Sequence, residues 1–432
     1  MADGSKNISP DGFSGALFAL EGIKDALVIL NGPAGCKFYH GALSDAQFPR
    51  DTSLDPLNYG EEFFFGQPRI PCTYLDAYDY VYGSGEKLKK ALQTVVTSKH
   101  KLVAVVNSPG AALIGDDLAH YLKDRVPDCP CISLESTGFS GAYAEGFQKA
   151  VIHVLEKLNV GDARDVIPRS VNLIGLSLHQ KYYRGSIGEL KRLLSACGIE
   201  VLSVLCAGDS VREISRFPRA AYNVVVFPEF GGEIARWMEE KYWIPYIVSP
   251  EGAPVGFDAT ECLIRTVAGW LKVDPRPALH ELEKARGRCF LSLSRFHSMT
   301  GLPGGARFSL KANPATAYAL TKWLCLYLGM IPAAIEVDDP ENSMFTKKLY
   351  AFLMETGFAA AAKNPIHTTE TEIVFADGNT IAQVRLNKVA CTGIEIALPS
   401  FGYLDVVEKT HLGAEGALLL VEQVINGLQL LL

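Results

Sequence analysis

The chain has 432 residues, of which 48% are hydrophobic and 21% charged, with a net charge of −7 and a pI near 5.8. This length exceeds one hydrophobic core and predicts two to four domains of an ordinary globular protein. The acidic balance excludes a general nucleic-acid surface, which needs a basic excess. No N-terminal segment has the pattern of a signal peptide, and no apolar run approaches the roughly 20 residues that span a bilayer. We therefore expect a cytoplasmic protein without membrane contact.

Runs of β-branched and aliphatic residues alternate with amphipathic stretches along the whole chain. This alternation predicts an α/β protein with parallel sheets flanked by helices, arranged as three successive Rossmann-like domains. We place the domains at 1–165, 166–280 and 281–432, the last with a closing helix, and expect breaks near 164–168 and 275–288. The predicted strands are 26–30, 102–107, 132–135, 171–178, 201–205, 223–227, 246–249, 307–311, 333–337, 372–375 and 391–397. The predicted helices include 85–97, 187–197, 232–241 and 316–328, and residues 47–71 predict a long, ordered, functional loop.

Ten cysteines in a chain without a secretion signal are expected to be reduced, as buried thiols or as metal or catalytic ligands. No CxxC pair is present, so neither a zinc ribbon nor a ferredoxin-type cluster is predicted. The sequence NGPAGC places Cys36 after a tight turn at a strand end, where α/β sheets bind ligands. A buried thiol is the alternative for Cys36, and Cys72, which follows Pro71 at a loop end, favours a structural thiol when taken alone.

Other cysteines and acidic residues have structural interpretations that we prefer. Asp116 and Asp117 would lie in the first turn of a helix, where capping is favoured over metal binding. The pair Cys129 and Cys131 is compatible with redox or metal chemistry, although Cys131 opens a predicted buried strand. Cys206 and Cys391 follow strands and could line a pocket. Four others are predicted to be buried thiols: Cys197, Cys262, Cys289 and Cys325.

Loops at predicted strand ends supply the candidate substrate-binding residues. His179, Lys181 and Arg184 lie between a strand and a helix, so their cations and the helix N-terminus could hold an anionic group. Glu229 and Lys311 follow later strands. A structural role is the alternative for each of the five, and for His411 helix capping is favoured over proton donation.

Several motifs occur in a fixed order. They are GPAGC at 32–36, DYVYG at 79–83, EKL at 86–88, LIGDDL at 113–118, CAGD at 206–209, WMEEKYWIP at 237–245 and THLGAEGA at 410–417. Together with the glycine-rich stretch 135–146, they resemble the nitrogenase component 1 superfamily over nearly the whole chain. That superfamily includes both subunits of the molybdenum–iron protein, their cofactor-assembly homologues and the dark-operative protochlorophyllide and chlorophyllide reductases.

The resemblance implies that Cys36 is a cluster ligand, and Cys72 occupies a place where some nitrogenase-like relatives also carry a cysteine. The family's first cysteine has no counterpart in residues 9–15, and its third is replaced by Ser108, Pro109 or a neighbour. Two thiolates per chain are too few for an eight-iron P-cluster. A [4Fe–4S] cluster takes four ligands, so the arithmetic predicts two from each of two chains in a homodimer, or in a heterodimer with a homologous subunit.

The resemblance also implies a function, namely the catalytic-component subunit of an ATP-dependent reductase. A separate homodimeric iron–sulfur ATPase would supply the electrons, because this chain has no Walker A motif. The predicted strand end at 226–230 contains no cysteine, and no histidine matches the family's cofactor ligand securely. We therefore expect neither an iron–molybdenum cofactor nor N₂ fixation. The alternatives are a scaffold for assembly of a metal cofactor and a structural partner without a cluster.

Overall fold

The computed structural model describes residues 10–44, 70–125, 129–135, 141–158, 160–161, 165–338, 343–400 and 405–432. Within these ranges eleven strands form three sheets, and every pair of neighbouring strands is parallel. The predicted α/β class with three successive parallel sheets flanked by helices is confirmed. The predicted loop at 47–71 lies outside the described residues except for its last two positions.

The first sheet has the order β1-β2-β3 and uses the first third of the chain. Its strands are β1 (Ala26–Asn31), β2 (Leu102–Asn107) and β3 (Cys131–Leu134). Its helices are α1 (Gly12–Glu21), α2 (Ala34–Ser44), α3 (Ala77–Tyr82), α4 (Gly85–Val95), α5 (Leu118–Arg125) and α6 (Tyr143–Leu158). Every residue of β2 is buried, as expected for a parallel strand covered by helices on both faces.

The middle sheet has the order β5-β4-β6-β7. Its strands are β4 (Ile167–Ile174), β5 (Glu200–Val204), β6 (Ala220–Val225) and β7 (Tyr246–Val248). Its helices are α7 (Tyr183–Ala196), α8 (Val211–Ile214), α9 (Pro228–Tyr242) and α10 (Gly256–Leu271). The predicted strand 171–178 is wrong at both ends, because β4 begins earlier and stops before Gly175. Gly175 has φ +88, where a side chain is strained, and an added Cβ would lie 2.4 Å from the Phe227 carbonyl oxygen.

The last sheet has the order β11-β10-β8-β9. Its strands are β8 (Arg307–Ala312), β9 (Ile331–Val337), β10 (Ile373–Asp377) and β11 (Thr392–Ala397). The helices are α11 (Arg276–Thr300), α12 (Pro314–Leu326), α13 (Met344–Glu355), α14 (Gly378–Leu386) and α15 (Gly413–Gln429). The break expected near 275–288 falls in α11, a continuous helix of 25 residues. The closing helix α15 packs against α7, α10 and α11, so it joins the last segment of the chain to the middle sheet.

The carboxyl ends of strands from the middle and last sheets face each other. Gln180, in the loop after β4, forms an antiparallel bridge with Ala397 at the end of β11. The Leu398 N–H donates to the His179 carbonyl at 3.2 Å. Ligands of open α/β sheets bind beyond the carboxyl ends of the strands, so this junction is the expected place for a binding site. None of the described helices is long and apolar enough to cross a membrane.

Candidate functional site

Cys36 lies in the first turn of α2, directly after β1 ends. The backbone passes from strand to helix through Gly32 and Pro33. An added Cβ at Gly32 would lie 2.6 Å from Ser108 Oγ and 2.8 Å from Ser108 Cβ, so only glycine allows this close approach. Cys36 is half-buried.

Cys72 is held beside the end of β1 by backbone pairing. It forms a parallel bridge with Leu30, whose carbonyl accepts the Thr73 N–H at 3.1 Å. The Cys72 thiol donates to the Gly32 carbonyl at 3.2 Å, and the Tyr74 N–H points at Cys72 Sγ at 3.4 Å. The turn that carries Cys36 is therefore also the turn against which Cys72 packs.

The two thiols lie close enough to interact electrostatically. Burial raises the pKa of the Cys36 thiol, and the neighbouring Ser108 hydroxyl lowers it. Burial also raises the pKa of Cys72; the Tyr74 N–H and the Lys37 ammonium lower it, and the charge of Cys36 raises it further. A positive ligand would remove this mutual repulsion and favour both thiolates.

A buried polar network fixes the strand ends beneath the cysteines. Asn31 donates to Ser84 Oγ at 3.0 Å and to Asn107 Oδ1 at 2.8 Å, and it accepts from Thr73 Oγ1 at 2.8 Å. Asp116 Oδ2 accepts from the Ser84 N–H and hydroxyl at 2.5 and 2.6 Å. The network links β1, β2 and the start of α4, so the cysteine-bearing turns rest on a rigid base.

The preferred roles for several other residues can be compared with the structure. The capping role of Asp117 is confirmed, since its Oδ1 accepts from the His120 N–H at 2.9 Å. Capping by His411 is wrong, because the side chain lies against Gln423 and the Tyr182 ring instead. All ten cysteines are described and free. Within the described ranges no group of three or more His, Cys, Asp or Glu side chains converges to hold a metal.

Exposed apolar side chains lie on elements next to the turn that holds the cysteine pair, and we call this set the aromatic face. Its members come from α2, from α3 and from the turn after β2, and more than two thirds of each side chain's surface is exposed. They are Phe38, Tyr78, Val81, Tyr82 and Leu113. Large exposed apolar side chains grouped on neighbouring elements are typical of interaction sites.

A second feature is the cavity at the junction of the middle and last sheets, with a volume of about 380 Å³. Four of the five predicted substrate-binding residues line it: His179, Lys181, Glu229 and Lys311. Arg184 does not; its guanidinium lies over the Tyr183 ring and faces a different surface pocket. Sequence reasoning missed several other lining residues, among them Tyr143, Gln180, Phe230, Asp338 and Asp377. The two aspartates directly follow or end strands, a signal that could have identified them.

Glu229 lies in the first turn of α9, where all three parts of the chain meet. Its Oε1 accepts from the Ala315 N–H of α12 at 2.7 Å, and its carbonyl accepts from the Gln148 amide of α6 at 3.0 Å. Its buried Oε2 has no hydrogen-bond partner among the described residues. Burial raises the pKa of the Glu229 carboxyl to about 7, although hydrogen bonds from the Ala315 N–H and from its own backbone N–H lower it.

The two histidines of the cavity wall are neutral at physiological pH. Burial lowers the pKa of His179 to about 4, and it does the same for His411. The His179 ring packs on Tyr143 with 4.4 Å between ring centroids, and the Tyr143 hydroxyl shares a hydrogen bond of 2.7 Å with Ser177. These rings contribute shape and hydrogen-bonding capacity to the cavity, not charge.

Lys181 forms a buried ion pair that joins the middle and last sheets. Its Nζ lies 2.6 Å from Glu395 and 3.3 Å from Asp405, and the side chains of Lys181 and Glu395 are 1% and 2% exposed. Ser400 accepts from the same ammonium at 2.9 Å. The charge expected to hold an anionic substrate is thus engaged in holding two sheets together.

Lys311 also faces acidic residues. Its Nζ lies 4.0 Å from Asp338 and 4.0 Å from Asp377, which caps α14. Since both lysines of the cavity wall already face carboxylates, the described wall carries no excess of positive charge. The substrate-binding role of the five residues stays a prediction.

Comparison with known proteins shows the family to which the chain belongs. A family model for nitrogenase component 1 type oxidoreductases matches residues 12–429, so the chain belongs to that family. The nitrogenase iron–molybdenum cofactor biosynthesis protein NifE of Clostridium pasteurianum is 29% identical over 238 residues, which cover 54% of this chain and 48% of that protein. The nitrogenase molybdenum–iron protein alpha chain of Methanothermobacter thermautotrophicus is 30% identical over 247 residues, or 54% of this chain and 50% of that one.

A third relative belongs to a reductase. It is one of the subunits of the light-independent protochlorophyllide reductase of Methylocella silvestris, 26% identical over 275 residues, covering 62% of this chain and 51% of that protein. The matches therefore span about half the length of these relatives. A solved structure titled nitrogenase Cp1 at pH 6.5 superimposes with a TM-score of 0.73 at 18% identity, covering 98% of this chain and 94% of that one, which establishes the shared fold. The predicted family is confirmed.

Proposed function

We propose that this chain is the catalytic-component subunit of a nitrogenase-like, ATP-dependent reductase. In this proposal Cys36 and Cys72 hold half of a [4Fe–4S] cluster at a subunit interface, and the substrate binds in the cavity between the sheets. The observation that carries the proposal is that two free thiols, Cys36 and Cys72, are held against the same turn after β1. Two thiolates would supply half of the four ligands that a [4Fe–4S] cluster takes.

The donor set fits a shared cubane. Cys36 is half-buried and Cys72 is buried beside it, and the network around Asn31 holds their backbone. A second subunit would supply two more thiolates across a two-fold axis. The aromatic face supplies the apolar surface that a stable interface needs around such a site. When bound, the cluster would transfer single electrons.

The residues of the cavity contribute protons and shape. Glu229 presents an unpartnered oxygen at a pKa near 7, so it can hold a proton at neutral pH and release it to a bound molecule. The packed rings of His179 and Tyr143 form part of the cavity wall. None of the described lining residues is a cysteine, which supports the expectation that no iron–molybdenum cofactor is bound and that N₂ is not the substrate.

The electrons come from a separate partner in this proposal. The sequence has no Walker A motif, so the ATPase is a second protein, proposed to be a homodimeric iron–sulfur protein that docks near the cluster. Each reduction of a substrate by two electrons also takes two protons, which the cavity residues and water supply.

The similarity to NifE favours one second candidate, a scaffold on which a metal cofactor is assembled. The two functions differ in turnover. A reductase oxidises the ATPase partner's reductant with MgATP and substrate over many cycles, whereas a scaffold carries a metal cluster that it transfers stoichiometrically to an acceptor protein.

Substitution of the cysteines tests the cluster site directly. Anaerobically purified wild-type protein should be brown, with about four irons per pair of homologous subunits. C36A and C72A should each lose the iron and the visible absorption, since neither variant retains the four ligands. C325A, a partly buried thiol on α12, is the control and should keep both. Iron retained in C36A or C72A at the wild-type level would contradict the assignment.

A further inference from the structure

Lys37 directly follows Cys36 in α2, and its side chain is buried. Its Nζ donates to the Tyr74 hydroxyl at 2.7 Å and lies over the Phe38 ring, 5.4 Å from the ring centroid. In the part of the chain that the structure describes, no carboxylate pairs with this ammonium. A buried charge without a counter-ion is costly, so the arrangement predicts that an anion binds beside Lys37.

Tyr74 connects this ammonium to Cys72. Its backbone has φ +51, in the left-handed region that residues with side chains rarely adopt. In this conformation the Tyr74 N–H points at Cys72 Sγ at 3.4 Å, and the Tyr74 carbonyl accepts from Lys87 Nζ at 3.0 Å. Backbone strain that surrounding contacts maintain is common at functional sites. Burial raises the pKa of the Cys72 thiol, and the positive charge of Lys37 opposes that rise.

We infer that the anion is the cluster itself: the Lys37 ammonium, held by the Tyr74 hydroxyl, is the counter-charge of the [4Fe–4S] cluster and raises its reduction potential. The inference rests on the proposed function. Four thiolates give the ligated cluster a net negative charge, and reduction adds one electron and one further negative charge to it. A fixed positive charge nearby therefore stabilises the reduced form more than the oxidised form. The step transfers one electron and no proton.

Redox titration of K37M, followed by electron paramagnetic resonance of the reduced cluster, tests the inference. K37M should have a more negative midpoint potential, with the reduction equilibrium weakened by about tenfold, which is about 59 mV for a one-electron couple. K37R keeps a positive charge and should stay closer to the wild-type potential. Y74F removes the hydroxyl that holds the ammonium and should shift the potential in the same direction as K37M, by less. The control is K347M, since Lys347 is an exposed lysine on α13; it changes the net charge equally and should leave the potential unchanged.

The outcomes separate the inference from the function on which it rests. Wild-type protein that holds no cluster contradicts the proposed function itself. A wild-type cluster whose midpoint potential is the same in K37M overturns the role of Lys37 alone. If K37M holds no cluster, urea denaturation of the cluster-free proteins decides. K37M that is at least as stable as wild type supports the inference, because without the cluster the buried ammonium has no counter-ion to stabilise it. Lower stability of K37M would show that Lys37 serves the fold, and it would overturn the inference.

Discussion

Burial sets the ionisation of the titratable side chains in the cavity. Glu229 and His179 both line the cavity, and their pKa values shift in opposite directions. The pKa of the Glu229 carboxyl is raised to about 7, and that of the His179 imidazole is lowered to about 4. Desolvation disfavours the charged form of each. At neutral pH the cavity wall therefore carries a partly protonated carboxyl and a neutral imidazole, and a carboxyl with a pKa near 7 is suited to proton delivery.

The raised pKa of Glu229 predicts a pH-dependent stability difference. The folded pKa lies above the ordinary value of 4.5, so the folded state binds the proton more tightly. The wild-type protein should lose up to about 3 kcal/mol of stability relative to E229Q as pH rises from 4.5 through 7. Thermal unfolding at pH 5 and pH 8 checks this: the melting temperature of E229Q minus that of wild type should be larger at pH 8.

The matched control is E240Q, an exposed glutamate on the same helix α9. Its melting temperature should differ from that of wild type by the same amount at both pH values. A difference between E229Q and wild type that does not change between pH 5 and pH 8 would show that the Glu229 carboxyl is not perturbed by burial.

At the scale of helices and strands, the hydrophobic runs in the sequence predicted the positions of strands better than the residues at which they end. β2 matches its predicted range, because its first five residues are apolar and the polar Asn107 ends the strand. β4 stops four residues early, since the apolar run continues into a loop whose direction Gly175 determines. No periodic pattern in the sequence indicated that Cys72 pairs with β1, because this pairing consists of a single bridge to Leu30.

The ion pair of Lys181 predicts a large loss of stability on removal of one partner. K181M leaves Glu395 buried and uncompensated, which typically costs about 3–5 kcal/mol. The double variant K181M/E395M should recover much of that loss, because it leaves no buried charge at the pair. Urea denaturation of the three proteins checks the prediction.

An exposed pair provides the comparison for that experiment. Arg276 and Asp274 pair at 2.8 Å with side chains 87% and 47% exposed, so R276A should show no measurable change. Equal stability of K181M and wild type would mean that Lys181 is not engaged in the ion pair, and its predicted role in substrate binding would regain support.

The helix α3 gives the aromatic face its central pair of rings. Tyr78 and Tyr82 lie one turn apart with 4.4 Å between ring centroids, and both are about two-thirds exposed. If this face is an interface, the double variant Y78E/Y82E should weaken subunit association by roughly 30- to 1000-fold in Kd, the usual effect of losing about 2–4 kcal/mol at a hot spot. Analytical ultracentrifugation measures the change.

L386E is the matched control, since Leu386 on α14 is equally exposed but belongs to the last sheet. It should leave the sedimentation of the assembly unchanged. Association that is weakened by L386E and not by Y78E/Y82E would place the interface away from the cysteines, and the proposal of a shared cluster would fail with it.

At the scale of the whole molecule, the sequence predicted the class of fold and the family, and it named the two cysteines now found together. The motifs around Cys36 and Cys72 carried that information, whereas their separation along the chain did not. The composition of the cavity wall could not be predicted as fully, because it depends on which strand ends of two sheets face each other. Arg184 illustrates this: it lies three residues from Lys181, but the helix α7 turns it towards another surface.

The number of clusters per pair of subunits decides whether the cysteines of two subunits share one metal centre. We would purify the tagged chain anaerobically from its own host, with any homologous subunit that remains bound, and record its native mass spectrum together with its iron and sulfide content. We expect one [4Fe–4S] cluster per pair of homologous subunits, lost in C36A and in C72A. A cluster carried by a single subunit, two clusters per pair, or an iron-free pair would contradict the shared site.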